Sequence, residues 1–409
     1  MRILLGCLLL SISIGVQAQV RAVVPSPPLA GVTRFYSPGV DAGDYVYISG
    51  QGPRRPDGSL PPAFAAQVRQ ALDNVRSVVE AAGLTMDHVV YSQVYLEDIS
   101  KYDQLNTVFS DVYSQLKLKT PPARAVLGVA KLPDPGVQIN AVAVRNLADR
   151  KAVYPPNFKS KEPASPGVLT QDRLFVSAMP GSDPSSGKVP ADAAAQVDFA
   201  LDRMKALVEA AGLDLRNMVF VNPYLTQDIP MQVMNQHYAQ RFEFGNTPAR
   251  ATIEVSSLPG GAHIEYTGVA VRDLKERRAI RPKNMPPSPT ASPCVFAGKT
   301  LYCSAKSGFI PGPHGGVYAS TTSHQLRQTM RNQLDNLEEA DMNFDQVVST
   351  TVYLDDLSEM SVFDEVYAQY FGGALPTRTV IEQIPPADRN PSKEGHYPDL
   401  EQVSLIAIR

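Results

Sequence analysis

Histidine and cysteine are scarce in this 409-residue chain, and their scarcity removes whole classes of chemistry. The six histidines, at 88, 237, 263, 314, 324 and 396, are scattered, with no two at metal-ligand spacing, so no His/Cys metal site is expected. Positive charge is not in excess. A net charge of −3 offers no basic face to a phosphate backbone, so no nucleic-acid partner is expected. Long apolar runs are also missing: after the first residues, no stretch reaches the ~18 apolar residues of a membrane span. What remains, 44% hydrophobic and 19% charged, is the composition of an ordinary globular chain. Its length suits about three domains at ~150 residues each.

The first residues stand apart. Arg2 precedes an apolar run over 3–16, and Val16-Gln17-Ala18 ends in a small residue. This is the pattern of a secretory signal cleaved after Ala18, which makes the protein secreted or periplasmic and leaves no membrane attachment. The alternative is lipid attachment at Cys7, since Leu4-Leu5-Gly6-Cys7 has that look, but the cysteine comes so early that almost no apolar region precedes it. Loss of Arg2 with the signal takes the net charge to −4.

The mature chain then keeps two cysteines, Cys294 and Cys303. Counting outward from a two-residue turn at Gly298-Lys299 sets them opposite each other at a non-hydrogen-bonded pair. There the Cα atoms lie ~4.5 Å apart, at the short end of disulfide range. An exported protein permits that bond; two free thiols on a strand are the alternative.

The chain repeats itself three times. Tyr47-Ile48-Ser49-Gly50-Gln51 returns as Phe175-Val176-Ser177-Ala178-Met179 and Tyr302-Cys303-Ser304-Ala305-Lys306. Pro122-Ala123-Arg124 returns as Pro248-Ala249-Arg250 and Pro376-Thr377-Arg378, and each copy closes on an apolar strand ending at Arg145, Arg272 or Arg409. Three landmarks in one order at nearly one period define a tandem repeat. Each unit reads as a hairpin (turning at Gly43-Asp44, Gln171-Asp172 or Gly298-Lys299), a Pro/Gly loop and an amphipathic helix over 65–82, 194–211 or 323–340. A strand (89–96, 218–225 or 347–354), a second helix and two closing strands follow. Gly83 and Gly212 stand just past their helices as C-cap glycines do, with Asp341 in that place in the third unit. The order argues for α+β units with helices on one face of a sheet. Domains are expected at 28–147, 158–275 and 290–409, with Pro-rich, charged linkers at 147–158 and 278–293.

Tyr36-Ser37-Pro38-Gly39, Ile48-Ser49-Gly50-Gln51, Glu80-Ala81-Ala82-Gly83-Leu84, Val94-Tyr95-Leu96, Asn106 and Pro122-Ala123-Arg124 together resemble the RidA/YjgF family, also labelled endoribonuclease L-PSP. The resemblance extends through all three units. It implies three tandem chorismate-mutase-like α+β domains. Such domains form homotrimers with ligand sites in the clefts between subunits, so three in one chain imply an intramolecular pseudo-trimer, monomeric as a chain. It also implies hydrolysis of reactive enamines and imines to 2-keto acids and ammonia without a cofactor.

A guanidinium grips a carboxylate through two parallel hydrogen bonds and stays charged at any working pH. By resemblance, Arg124, Arg250 and Arg378 are the substrate-binding arginines, the alternative being a solvated Arg at a strand start. Hydrolysis also needs a group that moves protons. Seven residues before the closing Arg stand Gln138, Glu265 and Gln402, and the family has Glu there, so only the second unit keeps it. Glu401 is one position out of phase, which turns its side chain to the other face of a strand. Ser49, Ser177 and Ser304 match the family's site Ser, and Asn106 and Asn235 its Asn, with Asp364 in the third unit. For these the alternative is capping or turn hydrogen bonding. Tyr36 matches a site Tyr that becomes Ala164 and Ala291 later, the alternative being a half-buried aromatic on a hairpin. The extra loop at 385–398, carrying Asp388, Arg389, Lys393, Glu394 and His396, either roofs a site or is simply solvated.

Two functions follow. One is deamination of small carboxylate-bearing imines, with Arg250 and Glu265 as the catalytic pair completed by Tyr36. The other is a non-catalytic small-carboxylate-binding or scaffold protein, favoured by the loss of two acids in three units. RNA cleavage, which the family label suggests, lacks a basic, aromatic-lined patch.

Overall fold

The structure, a computed structural model, describes residues 20–30, 35–156, 158, 162–312, 315–384 and 389–409. The expected signal over 1–18, His314 and Asp388 lie outside these residues.

Unit one comprises strands β1 (Arg21–Val23), β2 (Gly39–Asp41) and β3 (Tyr45–Gln51), helix α1 (Phe64–Ala81), β4 (Val89–Leu96), α2 (Tyr102–Gln115), β5 (Ala123–Gly128) and β6 (Val137–Val144). Unit two repeats this as β7 (Lys151–Val153), β8 (Gly167–Leu169), β9 (Arg173–Pro180), α3 (Ala193–Ala210), β10 (Met218–Leu225) and α4 (Met231–Ala239). It closes on the short pieces β11 (Ala249–Arg250) and β12 (Ile253–Glu254), then β13 (Ile264–Val271). Unit three runs β14 (Arg277–Ile280), β15 (Cys294–Ala297), β16 (Thr300–Ser307), α5 (Thr322–Glu339), β17 (Val347–Leu354), α6 (Met360–Tyr367), β18 (Thr377–Glu382) and β19 (Glu401–Ile408). Each sheet has one topology: the closing strand inserts between the hairpin and the middle strand, giving β1-β2-β3-β6-β4-β5 and its two counterparts. The outermost strand runs parallel to its neighbour, β5 on β4 and β18 on β17.

The long helices start and end one residue earlier than expected, and the middle strands match residue for residue. On α1 the helical spacing of Val68, Leu72, Val75 and Val79 puts all four in the core at 3% exposure or less, each contributing roughly 1.5–3 kcal/mol by burial. The residues after the helices adopt positive φ, +76° at Gly83, +77° at Gly212 and +56° at Asp341, the left-handed cap that lets a helix stop. The expected linkers are only partly linkers. Lys151–Val153 lies inside the first and Arg277–Ile280 overlaps the start of the second, and both pair with the hairpins that follow, as the first strands of the next sheets. Edge strands of three or four residues carry no periodicity that sequence can register.

The helices cover one face of each sheet with a unit-specific core. The other faces turn inward and pack together. Val46's strand neighbours Tyr45 and Tyr47 meet Phe175 and Tyr302 in one cluster, and Tyr95, Tyr224 and Tyr353, one from each unit, meet in another. Sheets buried on both faces explain why strands such as Val89–Leu96 are apolar almost throughout.

Cys294 lies opposite Cys303 in the β15–β16 hairpin, with Cα atoms 4.0 Å apart and the disulfide formed. Closing so short a loop stabilises by about 2.5 kcal/mol on the chain-entropy account. Cys303→Ser is therefore expected to lower the unfolding free energy by about that amount, and with it the urea midpoint, as is reduction of the wild type. Equal midpoints for the oxidised and reduced protein would contradict it.

Candidate active site at the boundary of units one and two

The recurring motifs turn out to be clasps between units. Ser37, Ser165 and Ser292 each donate a backbone N–H to the Pro carbonyl of the neighbouring unit's Pro-x-Arg motif: Pro376 (3.0 Å), Pro122 (3.0 Å) and Pro248 (3.1 Å). The next clasp is made by the predicted site serines. Ser177 Oγ accepts the N–H of Arg124 (2.7 Å), Ser304 Oγ that of Arg250 (2.8 Å) and Ser49 Oγ that of Arg378 (2.8 Å). Each hydroxyl gives its single proton to the carbonyl of Ser165, Ser292 or Ser37 in its own unit. Unit one thus grips two, two grips three, and three grips one. The serines are spent on seating each arginine, not on donating to a ligand.

This cycle decides which residues meet. Between units one and two lies a cavity of about 490 Å³ lined by Tyr102, Asp103 and Arg124 from unit one and Glu162, Ala178 and Glu265 from unit two. Glu265 therefore shares a cavity with Arg124, and the pairing expected from sequence, Glu265 with Arg250, does not form. Arg250 lines a different cavity, between units two and three, with Gln402. The reason is topological: Arg250 sits on the outer strand of its sheet, which reaches to the next unit, and Glu265 on the central strand, which meets the previous one.

Arg124 is buried, with 1% of its side chain exposed. Asn106 fixes it by accepting from Nη2 at 2.5 Å, and its Cζ lies 4.8 Å from the Phe109 ring centre. Nη1 has no hydrogen-bond partner among the described residues, and neither has the buried Glu265 Oε1. Unsatisfied polar atoms in such positions are costly, and a ligand relieves them. Burial, then the charge of Glu162, holds the Glu265 carboxyl pKa well above the usual carboxylate range. Glu162 Oε2 lies 3.8 Å from Arg124 Nη2, but its side chain is 48% exposed, so that pair is weak. Burial followed by the Glu162 charge also raises the Tyr102 hydroxyl pKa. Sequence reasoning missed Glu162 and Tyr102, because neither belongs to a repeated motif.

The strand register confirms the alignment of the acid position: Gln138, Glu265 and Gln402 lie opposite Tyr95, Tyr224 and Tyr353. Glu401 points to the other face, where Thr329 of α5 donates to it, so unit three presents Gln402. Between units two and three, Arg250 Nη1 donates to Asn235 Oδ1 (2.7 Å), its Cζ lies 5.2 Å from the Tyr238 ring centre, and burial lowers its pKa. Between units three and one, Asp364 stands 2.6 Å from Arg378 Nη1. The contact is Coulombic, since the N–H groups do not point at the oxygen and none of Nε, Nη1 and Nη2 has a hydrogen-bond partner among the described residues. The Arg378 guanidinium also sits 5.2 and 5.1 Å from the ring centres of Tyr36 and Tyr367. Tyr36 thus stacks on Arg378 and does not complete the site of Glu265, and Asp364 stands beside the guanidinium that a ligand carboxylate would need. Residues 385–388 of the extra loop lie outside the described residues; in its described part Arg389 pairs with Asp355 (3.0 Å) and Glu359 (3.3 Å) of unit three.

Known proteins match one unit at a time. The 2-iminobutanoate/2-iminopropanoate deaminase of Escherichia coli (strain K12) is 40% identical over 112 residues, 27% of this chain and 87% of that protein. A RutC family protein of Aquifex aeolicus is 37% identical over 112 residues, 27% of this chain and 88% of its own length. Among solved structures, the Escherichia coli YjgF gene product is 35% identical with a TM-score of 0.30, covering 31% of this chain and 99% of its own. E. coli TdcF with bound serine is 32% identical with a TM-score of 0.30, over 31% and 100%. The sequence profile of the Endoribonuclease L-PSP family matches residues 29–145, 157–272 and 284–384. The chain therefore belongs to the endoribonuclease L-PSP family, the RidA/YjgF group, and carries its domain three times in one polypeptide.

Proposed function

We propose that the cleft between units one and two hydrolyses small 2-imino or enamine acids to 2-keto acids and ammonia. One observation carries this reading: a buried guanidinium N–H of Arg124 and a buried carboxyl oxygen of Glu265, both unpartnered among the described residues, line one cavity. The deaminase names of the relatives support it.

Arg124, held by Asn106 and Ser177, takes the substrate carboxylate. Burial keeps Glu265 protonated before substrate arrives, so it starts as a general acid. It gives its proton to the imine nitrogen, or to the β-carbon of an enamine, and an iminium forms. The resulting carboxylate takes a proton from water as the oxygen bonds to the iminium carbon. Neutral Glu265 then protonates the nitrogen of the tetrahedral adduct. The C–N bond breaks, ammonia leaves, and the hydroxyl proton returns to Glu265 as the carbonyl forms. Substrate and one water become keto acid and ammonia, with the acid regenerated and no cofactor.

The test generates an imino acid in place with an amino-acid oxidase and follows its disappearance with and without the full chain. Acceleration over buffer is expected; identical rates end the proposal. The Cys294–Cys303 bridge supports export, since such bonds persist in oxidising compartments. The closed cycle of clasps supports a monomer, so gel filtration is expected to give one compact chain, and a stable trimer of chains would refute that assembly.

A further inference from the structure

The inward faces of the three sheets do not close completely. Between them lies a cavity of about 110 Å³ that all three units line and that shares no wall residue with either arginine cleft. No Asp, Glu, Lys, Arg or His lines it among the described residues. A charged occupant would lose its hydration there without compensation, so the cavity suits a neutral one.

The wall is where the three repeats have diverged. Tyr91, Phe220 and Ser349 hold one position, each opposite the middle residue of its own Pro-x-Arg motif (Ala123, Ala249 and Thr377). Two units place a ring there and the third a small hydroxyl side chain. Two residues further on, the wall carries Gln93, Asn222 and Thr351. Three identical chains would repeat every wall residue around their axis and could not hold one small guest in a single orientation. Three unlike units in one chain are free of that constraint.

The divergence leaves one donor and one acceptor unmet. Gln93 is 3% exposed. Its Oε1 accepts from the hydroxyls of Tyr91 (2.6 Å) and Tyr224 (3.4 Å), which orients the amide and leaves Nε2 with no hydrogen-bond partner among the described residues. Asn222 donates from Nδ2 to Thr267 Oγ1 at 3.3 Å, and its buried Oδ1 also lacks a partner among the described residues. Each such atom costs stability until something bound meets it.

We propose that this central cavity binds one small neutral molecule of the amide class, its carbonyl oxygen accepting from Gln93 and its N–H donating to Asn222. Since an enclosed cavity of ~150 Å³ takes benzene, one of about 110 Å³ suits a guest of about four or five non-hydrogen atoms. Thr267 and Val269 of β13 line this cavity while Glu265 of the same strand lines the catalytic cleft, so the guest sits behind the catalytic strand and apart from the substrate.

Ligand-observed NMR titration of the full chain with propionamide tests this without reference to turnover. Saturable binding of one molecule per chain is expected. Butanone, of the same size but without an N–H, binds about fivefold more weakly. Propionate, the charged counterpart, does not displace the amide. Asn222→Leu removes the acceptor and brings propionamide down to the affinity of butanone. Ser349→Phe restores the ring of the other two units, fills the cavity and abolishes binding. Thermal melts show whether each variant is folded, and Asn222→Leu decides alone should Ser349→Phe not fold. Absence of saturable binding, which leaves water as the occupant, would overturn the proposal. So would displacement by propionate, or an affinity for propionamide unchanged in either folded variant.

Discussion

Glu265→Gln is expected to lower imine turnover by about 10²–10⁴-fold, the range of a lost general acid–base, and at the same time to raise the melting temperature at neutral pH. Both effects come from one buried carboxyl group. In the unfolded chain it ionises above its ordinary value of 4.5, while in the fold burial keeps it protonated to much higher pH. The native state therefore holds a proton that the unfolded state has lost, and stability falls as pH rises from about 4.5 towards the folded value. Glutamine removes this loss. The variant should melt close to wild type at pH 4 and progressively above it from pH 5 to 8. Paired thermal melts and single-turnover assays across that range check it. A variant as active as wild type would remove Glu265 from the chemistry, and a melting difference independent of pH would show that the carboxyl is ionised in the fold.

Arg124→Gln is the second large effect. It removes a two-pronged charged grip on a part of the substrate that does not react, so most of the loss falls on KM. kcat/KM is expected to fall about 10²-fold, on the order of the 1.5–3 kcal/mol of a charged hydrogen bond. Arg250→Gln, in the other cleft, is expected to change kcat/KM by less than about threefold. The contrast is sharp because the two arginines are repeats of one motif and differ mainly in what the fold sets opposite them. A loss in Arg250→Gln equal to that in Arg124→Gln would cancel the assignment of catalysis to the boundary of units one and two.

Much of the architecture was legible in the chain. The spacing of Val68, Leu72, Val75 and Val79 marks α1, the glycines after α1 and α3 mark their ends, and the turn at Gly298-Lys299 sets Cys294 against Cys303. These are local rules with periods of 2 and 3.6 residues, and they act within one unit. The phase argument that separates Gln402 from Glu401 is equally local, and the strand register agrees with it. The short edge strands Lys151–Val153 and Arg277–Ile280 were not legible, because they exist only through pairing with a hairpin already in place.

The amino-acid order by itself determined that three α+β units follow one another, and that only the second keeps the acid. It could not determine which arginine that acid meets. Arg124 and Arg250 stand in matching motifs, and Glu265 lies closer in sequence to Arg250. Tertiary structure decided for Arg124, because the inward faces of the sheets bury apolar side chains only when the units close on one another in a cycle. That closure carries the arginine of each unit to the central strand of the next.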